Sequence, residues 1–573
     1  MTFTKQVPIQ LDNKQPATLN AQIQALLEKQ PAATALIFIT RDDEQPITTR
    51  EFFEQAARYA HALREAGVQP GDLVVLVLQH SLEVLYSFWG AIMLGAVPSI
   101  FPFLTEKLDP ERYFASVRTL IERSGVRAVI TYRELHQKLD DLLDGIDGLL
   151  PLLLTDDLQP TGDPADFLGN QAPTDPAQTA FLQHSSGSTG LQKGVMLSHE
   201  AVLNQLAAYS EAIKLQADDI ICSWLPLYHD MGLIAGFIMP VMQGIPLVLM
   251  SPFHWVRAPH ILLEAIQRHG GTLCWLPNFA YNFMALRIRD QHLEGLDLSS
   301  VRALVNCSEP VKAESHAMFL ERFQPFGFKE EALATCYAMA ENTFAVTQAG
   351  IDELVKIDVI ERKTFIEEQR AVPSDRDDVL HMVSCGRPIP HTEILVVNEQ
   401  DETVPERQVG EIILRGSSML SGYYERPDAT QESMKGGWFY TGDMGYLAEG
   451  ELYVTGRKKD LIIIGGKNIY PQDVEMIVGE IEGVKDGRTV AFGVFNEDLG
   501  TEDLAVIAEV TTDDPAEHAR IQREARQRIV KATDVMARFV HLVEPMWLHK
   551  TSSGKIARVA NKEKFMREVL ERP

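Results

Sequence analysis

This chain is short of cysteine, of cations and of long uncharged runs, and each shortage removes a class of protein. Its five cysteines (Cys222, Cys274, Cys307, Cys336, Cys385) stand far apart with no CxxC pair. That argues against a disulfide framework or a structural zinc and predicts free thiols in a reducing compartment. Lys and Arg number 53 against 80 Asp and Glu, a net charge of −27, which repels nucleic acid and anionic membrane. The opening Met1-Thr2-Phe3-Thr4-Lys5-Gln6 lacks an apolar signal core, so the expected setting is cytoplasmic. One uncharged run, 232–250, approaches bilayer length. Gly236, Pro240, Gln243, Gly244 and Pro246 interrupt it, which predicts a buried helix, a turn and the strand Leu247-Val248-Leu249 and no membrane span. Both the Walker pattern and the dinucleotide pattern GxGxxG are missing.

What is present is an ordinary globular composition, 45% hydrophobic and 23% charged over 573 residues, too long for one core. Short β-branched runs (35–39, 73–78, 128–130, 247–249) alternate with helical patterns at 49–66 and 81–94, which predicts a layered α/β fold with buried, largely parallel strands. The stretch 159–176, rich in Pro, Gly and Asp, reads as a surface loop. After about Leu380 the pattern becomes hairpin-like, with strands at 393–397 and 410–414. A second α/β unit begins near Arg457, with strands at 461–464, 490–494 and 504–510 and a helix at 516–531.

The segment FLQHSSGSTGLQKGVMLSH (Phe181–His199) crowds Ser185, Ser186, Gly187, Ser188, Thr189, Gly190 and Lys193 together. A Ser/Gly stretch is often only a flexible linker. Here a strand-like 180–182 precedes it, and helical spacing appears beyond it at Ala201, Val202, Leu203, Leu206 and Ala207. Glycines that let backbone N–H groups approach, hydroxyl donors and one cation suit a phosphate cradle between a strand and a helix.

Five further motifs lie downstream: SWLPLYHDMGL (223–233), CYAMAENTF (336–344), GWFYTGDMGYL (437–447), GRKKDLIIIGGKNIYPQDVE (456–475) and KTSSGKIAR (550–558). In order and spacing the chain resembles, over its whole length, the adenylate-forming superfamily of acyl-CoA synthetases, luciferases and peptide-synthetase adenylation domains. The resemblance implies a large multi-layered N-terminal domain with parallel and mixed sheets and a β-rich subdomain, 1–457, which binds ATP and the acid. A small mobile C-terminal α/β domain, 458–573, would carry the catalytic lysine.

By the same resemblance Ser185 to Gly190 and Lys193 hold the ATP phosphates, and Glu341 holds Mg²⁺ on them. Tyr337 stacks on adenine, with Ala338 and Met339 and with Ser308, Glu309 and Pro310 bordering the nucleotide. Asp443 accepts from the ribose hydroxyls, assisted by Arg457. His229 lies at the floor of the acid pocket and positions the substrate. Lys555 bonds the carboxylate and the α-phosphate, where a cation favours the meeting of two anions. Lys459 occupies the hinge. Taken alone, each of these would more often be a solvated or packed side chain.

Three segments resemble the fatty acyl-AMP ligases in particular. LPNFAYNF (276–283) resembles their pocket segment and makes Asn278, Phe279 and Tyr281 pocket residues, alongside VNCSEPV (305–311) and NIYPQDVE (468–475). The stretch from about Gly350 to Ser374 matches their insertion, implicated in rejecting free CoA. Its Val355, Ile357 and Val359 are expected to face protein, with a helix over 363–371. Cys307 and Ala338 stand at usual glycines, Asn342 at a common alanine and His549 at a usual proline. Asn342 suits a polar acid or a backbone bond. The expected activity is formation of acyl-AMP from a carboxylic acid, with a fatty acid the expected substrate, then transfer to an acyl carrier protein thiol. The alternatives are an acyl-CoA synthetase using free CoA and a catalytically silent nucleotide-binding homologue.

Overall fold

The computed structural model describes residues 18–570 except 42, 105–109, 159–161, 169–174, 186–192, 465–466, 497–500, 534 and 552–554. Two seven-stranded sheets form its centre. In the first, strands 333–336, 303–307, 273–276, 221–223, 247–250 and 34–39 lie side by side and parallel, closed by the antiparallel edge 44–48. The second runs in the order 422–423, 193–198, 179–185, 97–100, 73–77, 128–131 and 153–154. Its last five strands are parallel. Strands such as Leu73–Val77 and Ala128–Thr131 are buried along their full length, because helices cover both faces. One apolar cluster reaches from Leu19 to Leu452 and joins both sheets.

The alternation in the sequence is realised closely. Helices span Thr49–Glu65 and Leu82–Leu94. The first begins with a reciprocal cap, Thr48 and Glu51 each satisfying the other's backbone N–H. The uncharged run folds into the π-helix Met231–Ile238, the helix Met239–Gln243, a left-handed Gly244 and the strand Leu247–Met250. Among the described residues no helix is long and apolar enough to cross a membrane. Half of the predicted loop at 159–176 lies outside the described residues, and the described half includes a short helix, Ala165–Leu168.

Further along the chain lies a five-stranded antiparallel sheet, built from Thr392–Val397, Gly410–Gly416, Met434–Lys435, Trp438–Ala448 and Glu451–Arg457. From Ile462 on, the chain has its own three-stranded sheet, 484–496, 501–510 and 537–543, and two apolar clusters confined to this part. Tyr470 is the exception. It packs with Ile360 and Phe365 in a cluster shared with the β-rich sheet, its ring stacked on Phe365 and its hydroxyl donating to Gln369 Oε1 at 2.9 Å.

Two expectations need correction. Lys193 does not lead into a helix. It opens the strand Lys193–Ser198, which pairs antiparallel with Thr179–Ser185, so the Ser/Gly segment joins strand to strand. Burial of Val195 and Leu197 on one face sets that strand. The helix His199–Ala212 begins only afterwards, capped by Ser198, which accepts from Ala201 N. The second correction concerns the insertion. Its strand is Ile357–Glu361 and its helix Arg362–Glu368, but Ile357 is 49% exposed while Ile360 is fully buried. Asp358 also points inward, accepting from Arg407 and from the Tyr446 hydroxyl, each at 2.8 Å. A guanidinium and a phenol satisfy the carboxylate, so it can occupy the inner face that the apolar alternation assigned to valine and isoleucine.

Candidate functional site

Four parallel neighbours in the first sheet, 221–223, 273–276, 303–307 and 333–336, each run directly into a segment singled out by sequence. These are Tyr228-His229-Asp230, Pro277-Asn278-Phe279, Ser308-Glu309-Pro310 and Tyr337-Ala338-Met339. Parallel strands place their carboxyl ends along one edge, the usual position of a ligand crevice in such sheets.

Tyr337 leaves the last of these strands, and its hydroxyl donates to Asp443 Oδ2 at 2.6 Å. Asp443 faces Arg457 across adjacent strands of the β-rich sheet, and Arg457 Nε lies 3.4 Å from its Oδ1. Met339 precedes the 3-10 turn Ala340–Asn342 that carries Glu341, and Ala338 bridges to Ala345. Glu341 accepts from the Tyr423 hydroxyl at 2.8 Å. Burial, with Asp230 and Asp443 nearby, holds its carboxyl above the ordinary range, against the Tyr423 bond that lowers it. Lys193 Nζ sits over the Tyr423 ring, 4.4 Å from its centre. Tyr423 is a functional residue that sequence reasoning missed. The two-residue strand Gly422–Tyr423, paired with Val195 and Met196, brings it between the glutamate and the lysine, and no periodicity signals that pairing.

The C-terminal part reaches the same edge. Thr551 N donates to the Lys555 carbonyl at 2.7 Å, and Lys550 bridges to Ile556. Arg558, three residues on, is fixed by Asp460 at 2.6 Å and Glu475 at 2.8 Å. The Lys555 charge acts on both His229 and Asp230. Burial first, and then Lys555, takes the His229 imidazole down to about 3, so it is neutral. Its Nε2 is inaccessible to water and has no hydrogen-bond partner among the described residues. Asp230 is raised by burial, while the Met231 N–H and Lys555 pull it back. Lys459 is lowered, by partial desolvation first and then by Arg457, with Lys193 adding to the effect. In an acidic protein, Lys193, Lys459 and Arg457 thus gather near Asp443 and Tyr423, while the Lys555 charge acts on His229 and Asp230.

Ser308 adopts a left-handed backbone, φ 69°, a strained conformation for a residue with a side chain. Its hydroxyl lies 3.9 Å from Met231 Sδ. Glu309 accepts from Phe279 N at 2.9 Å, and Pro310 is exposed beside it. Phe279 is 39% exposed, its edge on the stacked Trp224 and Trp255. Asn278 and Tyr281 are occupied inside the protein instead. Asn278 bonds Ser315, Asn306 and Lys312 N, and the Tyr281 hydroxyl donates to Leu304 O. Asn342 is buried and donates to Ala345 O at 2.7 Å. Ser186, Gly187, Ser188, Thr189 and Gly190 lie outside the described residues, and of Ser185 only the backbone pairing with Lys193 is described.

A profile of the AMP-binding enzyme family matches residues 23–424. The chain is 30% identical to the medium-chain-fatty-acid–[acyl-carrier-protein] ligase JamA of Moorena producens, over 97% of this chain and 96% of that protein. It is likewise 30% identical to the long-chain-fatty-acid–AMP ligase FadD26 of Mycobacterium marinum, over 98% of each. A solved structure from studies of fatty acyl-adenylate ligases of E. coli and L. pneumophila superposes with a TM-score of 0.88 at 28% identity, covering 97% of this chain and 99% of that one.

Proposed function

The chain belongs to the AMP-binding enzyme family, and from that premise we propose that it activates a fatty acid with ATP and passes the acyl group to a carrier protein. In the first step a carboxylate oxygen bonds to the α-phosphorus of ATP while the bond to the bridging oxygen breaks, giving acyl-AMP and pyrophosphate. In the second, a phosphopantetheine thiol attacks the acyl carbon, AMP leaves and a thioester forms. The observation that carries this reading is the convergence of Lys555 on His229 and Asp230 beside the linked Glu341, Tyr423 and Lys193.

Each residue then has a task. Lys555 offsets the repulsion between carboxylate and phosphate as they meet. Neutral His229 presents an unbonded ring nitrogen without adding charge. Asp443, once released from the Tyr337 hydroxyl, accepts from the ribose, with Arg457 alongside it. Phe279 borders the acyl end, and Ser308 borders the nucleotide. A partly buried carboxylate of raised proton affinity, linked through Tyr423 to Lys193, fits Mg²⁺, which takes one or two carboxylates together with substrate oxygens. Glu341 is the residue to hold it, and the ion would neutralise charge on the departing pyrophosphate. We place the boundary between a core of 1–457 and a mobile domain of 458–573, with the hinge at Lys459.

The test incubates the full chain with ATP, Mg²⁺ and a panel of fatty acids, with either CoA or a phosphopantetheinylated carrier protein. Pyrophosphate release together with a carrier thioester is expected. Acyl-CoA as the main product would assign the CoA synthetase reaction, and absence of pyrophosphate with every acid would leave only a nucleotide-binding protein.

A further inference from the structure

Away from this crevice, the helix His260–His269 carries His260 and Glu264 one turn apart on one face, and the 3-10 turn Asp290–His292 ends on His292 opposite them. One ligand atom from each of the three lies within 4.8 Å of the others. His260 Nε2 is 3.9 Å from Glu264 Oε1. The two imidazoles lie face to face, ring centres 3.8 Å apart and planes 22° from parallel. They border a cavity of about 460 Å³ that Arg257, Arg287 and Arg289 also line.

We propose that His260, Glu264 and His292 bind a divalent transition metal, with Zn²⁺ the expected occupant. Two imidazoles and one carboxylate form a borderline donor set that suits Zn²⁺ better than the oxygen-seeking Mg²⁺. Three such donors around tetrahedral zinc stand about 3.4 Å apart, so binding requires the two rings to leave their stack and turn their in-plane nitrogens toward a common point beside Glu264. The lone pair that His292 Nε2 offers to the Gln291 amide, 3.3 Å away, is available to the metal instead.

The fourth coordination position faces the cavity. The arginines there oppose a bare cation and favour an anion on the metal, so the ligand class for that position is hydroxide, phosphate or carboxylate. Bound metal would tie the helix 260–269 to the turn 290–292, the two segments that bracket the helix Asn278–Arg287. The site is independent of the adenylation reading, since none of its three ligands touches the crevice residues described above.

The experiment titrates the chelator-stripped full chain with Zn²⁺ against a chromophoric competitor and records the visible absorption of a Co²⁺-loaded sample. One Zn²⁺ per chain is expected, with intense Co²⁺ bands of a low-coordinate site and a rise in melting temperature. His260→Gln, Glu264→Gln and His292→Gln should each weaken Zn²⁺ by at least about tenfold and abolish the thermal shift. His254→Gln, on the adjoining helix, should bind as wild type does. Absence of saturable one-to-one binding, or binding that survives all three ligand substitutions, overturns the proposal.

Discussion

Under the proposed function, Lys555 is the side chain whose removal separates chemistry from folding. Lys555 sits on a loop pinned from both sides, by the Thr551–Lys555 backbone bond and by Arg558 with its two carboxylates. Removing its side chain leaves those restraints in place. Lys555→Ala should therefore melt within a degree or two of wild type while pyrophosphate release falls on the order of 10²-fold or more. Near-normal release would remove the assignment. Glu341 makes the opposite combination. Its folded-state proton affinity lies above the ordinary value, so the native chain holds the proton more tightly than the unfolded one. Stability then falls as pH rises from the ordinary carboxylate range through the raised native value. Glu341→Gln escapes that loss. Without ligands it should melt above wild type at alkaline pH, with the gap closing in mild acid, while adenylation falls about 10²-fold. A variant that melts lower at alkaline pH would contradict the sign. Position 549 shows how a departure from a family pattern is absorbed. His549 has the backbone N–H that proline lacks, and it donates to the buried Asn561 side chain at 2.8 Å.

At the scale of elements, the short 3-10 helix Lys458–Asp460 joins the strand Glu451–Arg457 to the strand Ile462–Ile464. Rotation of the C-terminal part requires φ/ψ changes in those few residues. Lys459→Pro fixes φ near about −65° but also removes a cation that feels Arg457 and Lys193, so Lys459→Ala is its control. Proline should spare acyl-AMP formation relative to alanine and suppress thioester transfer. Equal behaviour of the two variants in transfer would show that charge, not backbone freedom, matters there. Elements are also where reading from sequence succeeded and failed most clearly. Full-length burial in strands such as 73–77 leaves an unbroken apolar run, which is legible without partners. The strand 193–198 was not, because its six residues are held by hydrogen bonds to 179–185 and 422–423, one of these partners more than two hundred residues away. Asp358 inverted the apparent face of the insertion strand because its partners, Arg407 and Tyr446, come from other elements.

For the whole molecule, the proposed function makes the insertion the contact to test for acceptor choice. Phe365 stacks on Tyr470 and Gln369 accepts from its hydroxyl, so a segment of the large part grips the start of the small one. Asp473, one turn further on, is pushed up to about 6 by burial against the pull of Arg362 and Lys312. On the proposed reading, holding the small part in this orientation keeps the Lys555 charge near His229 and would oppose the rearrangement that free CoA would need. Wild type should make acyl-AMP and charge a carrier protein but give little acyl-CoA; efficient acyl-CoA synthesis would falsify this. Phe365→Ala removes a buried aromatic, at a cost of about 3 kcal/mol. In calorimetry it should broaden or split the unfolding transition as the small part uncouples, whereas a single transition shifted as one unit would mean the grip is not the coupling element.

The sequence alone determined the alternation of elements, the α/β class and the set of polar side chains that the ends of the strands would carry. These come from periodicity and from short motifs whose spacing the backbone preserves. Tertiary structure decided the rest. It put Tyr423 between Glu341 and Lys193, drew Asn278 and Tyr281 into internal hydrogen bonds, turned Asp358 inward and brought the Lys555 charge to bear on His229. Each of these outcomes depends on which distant groups share a dry environment, and burial and pairing between remote residues leave no local pattern in the chain.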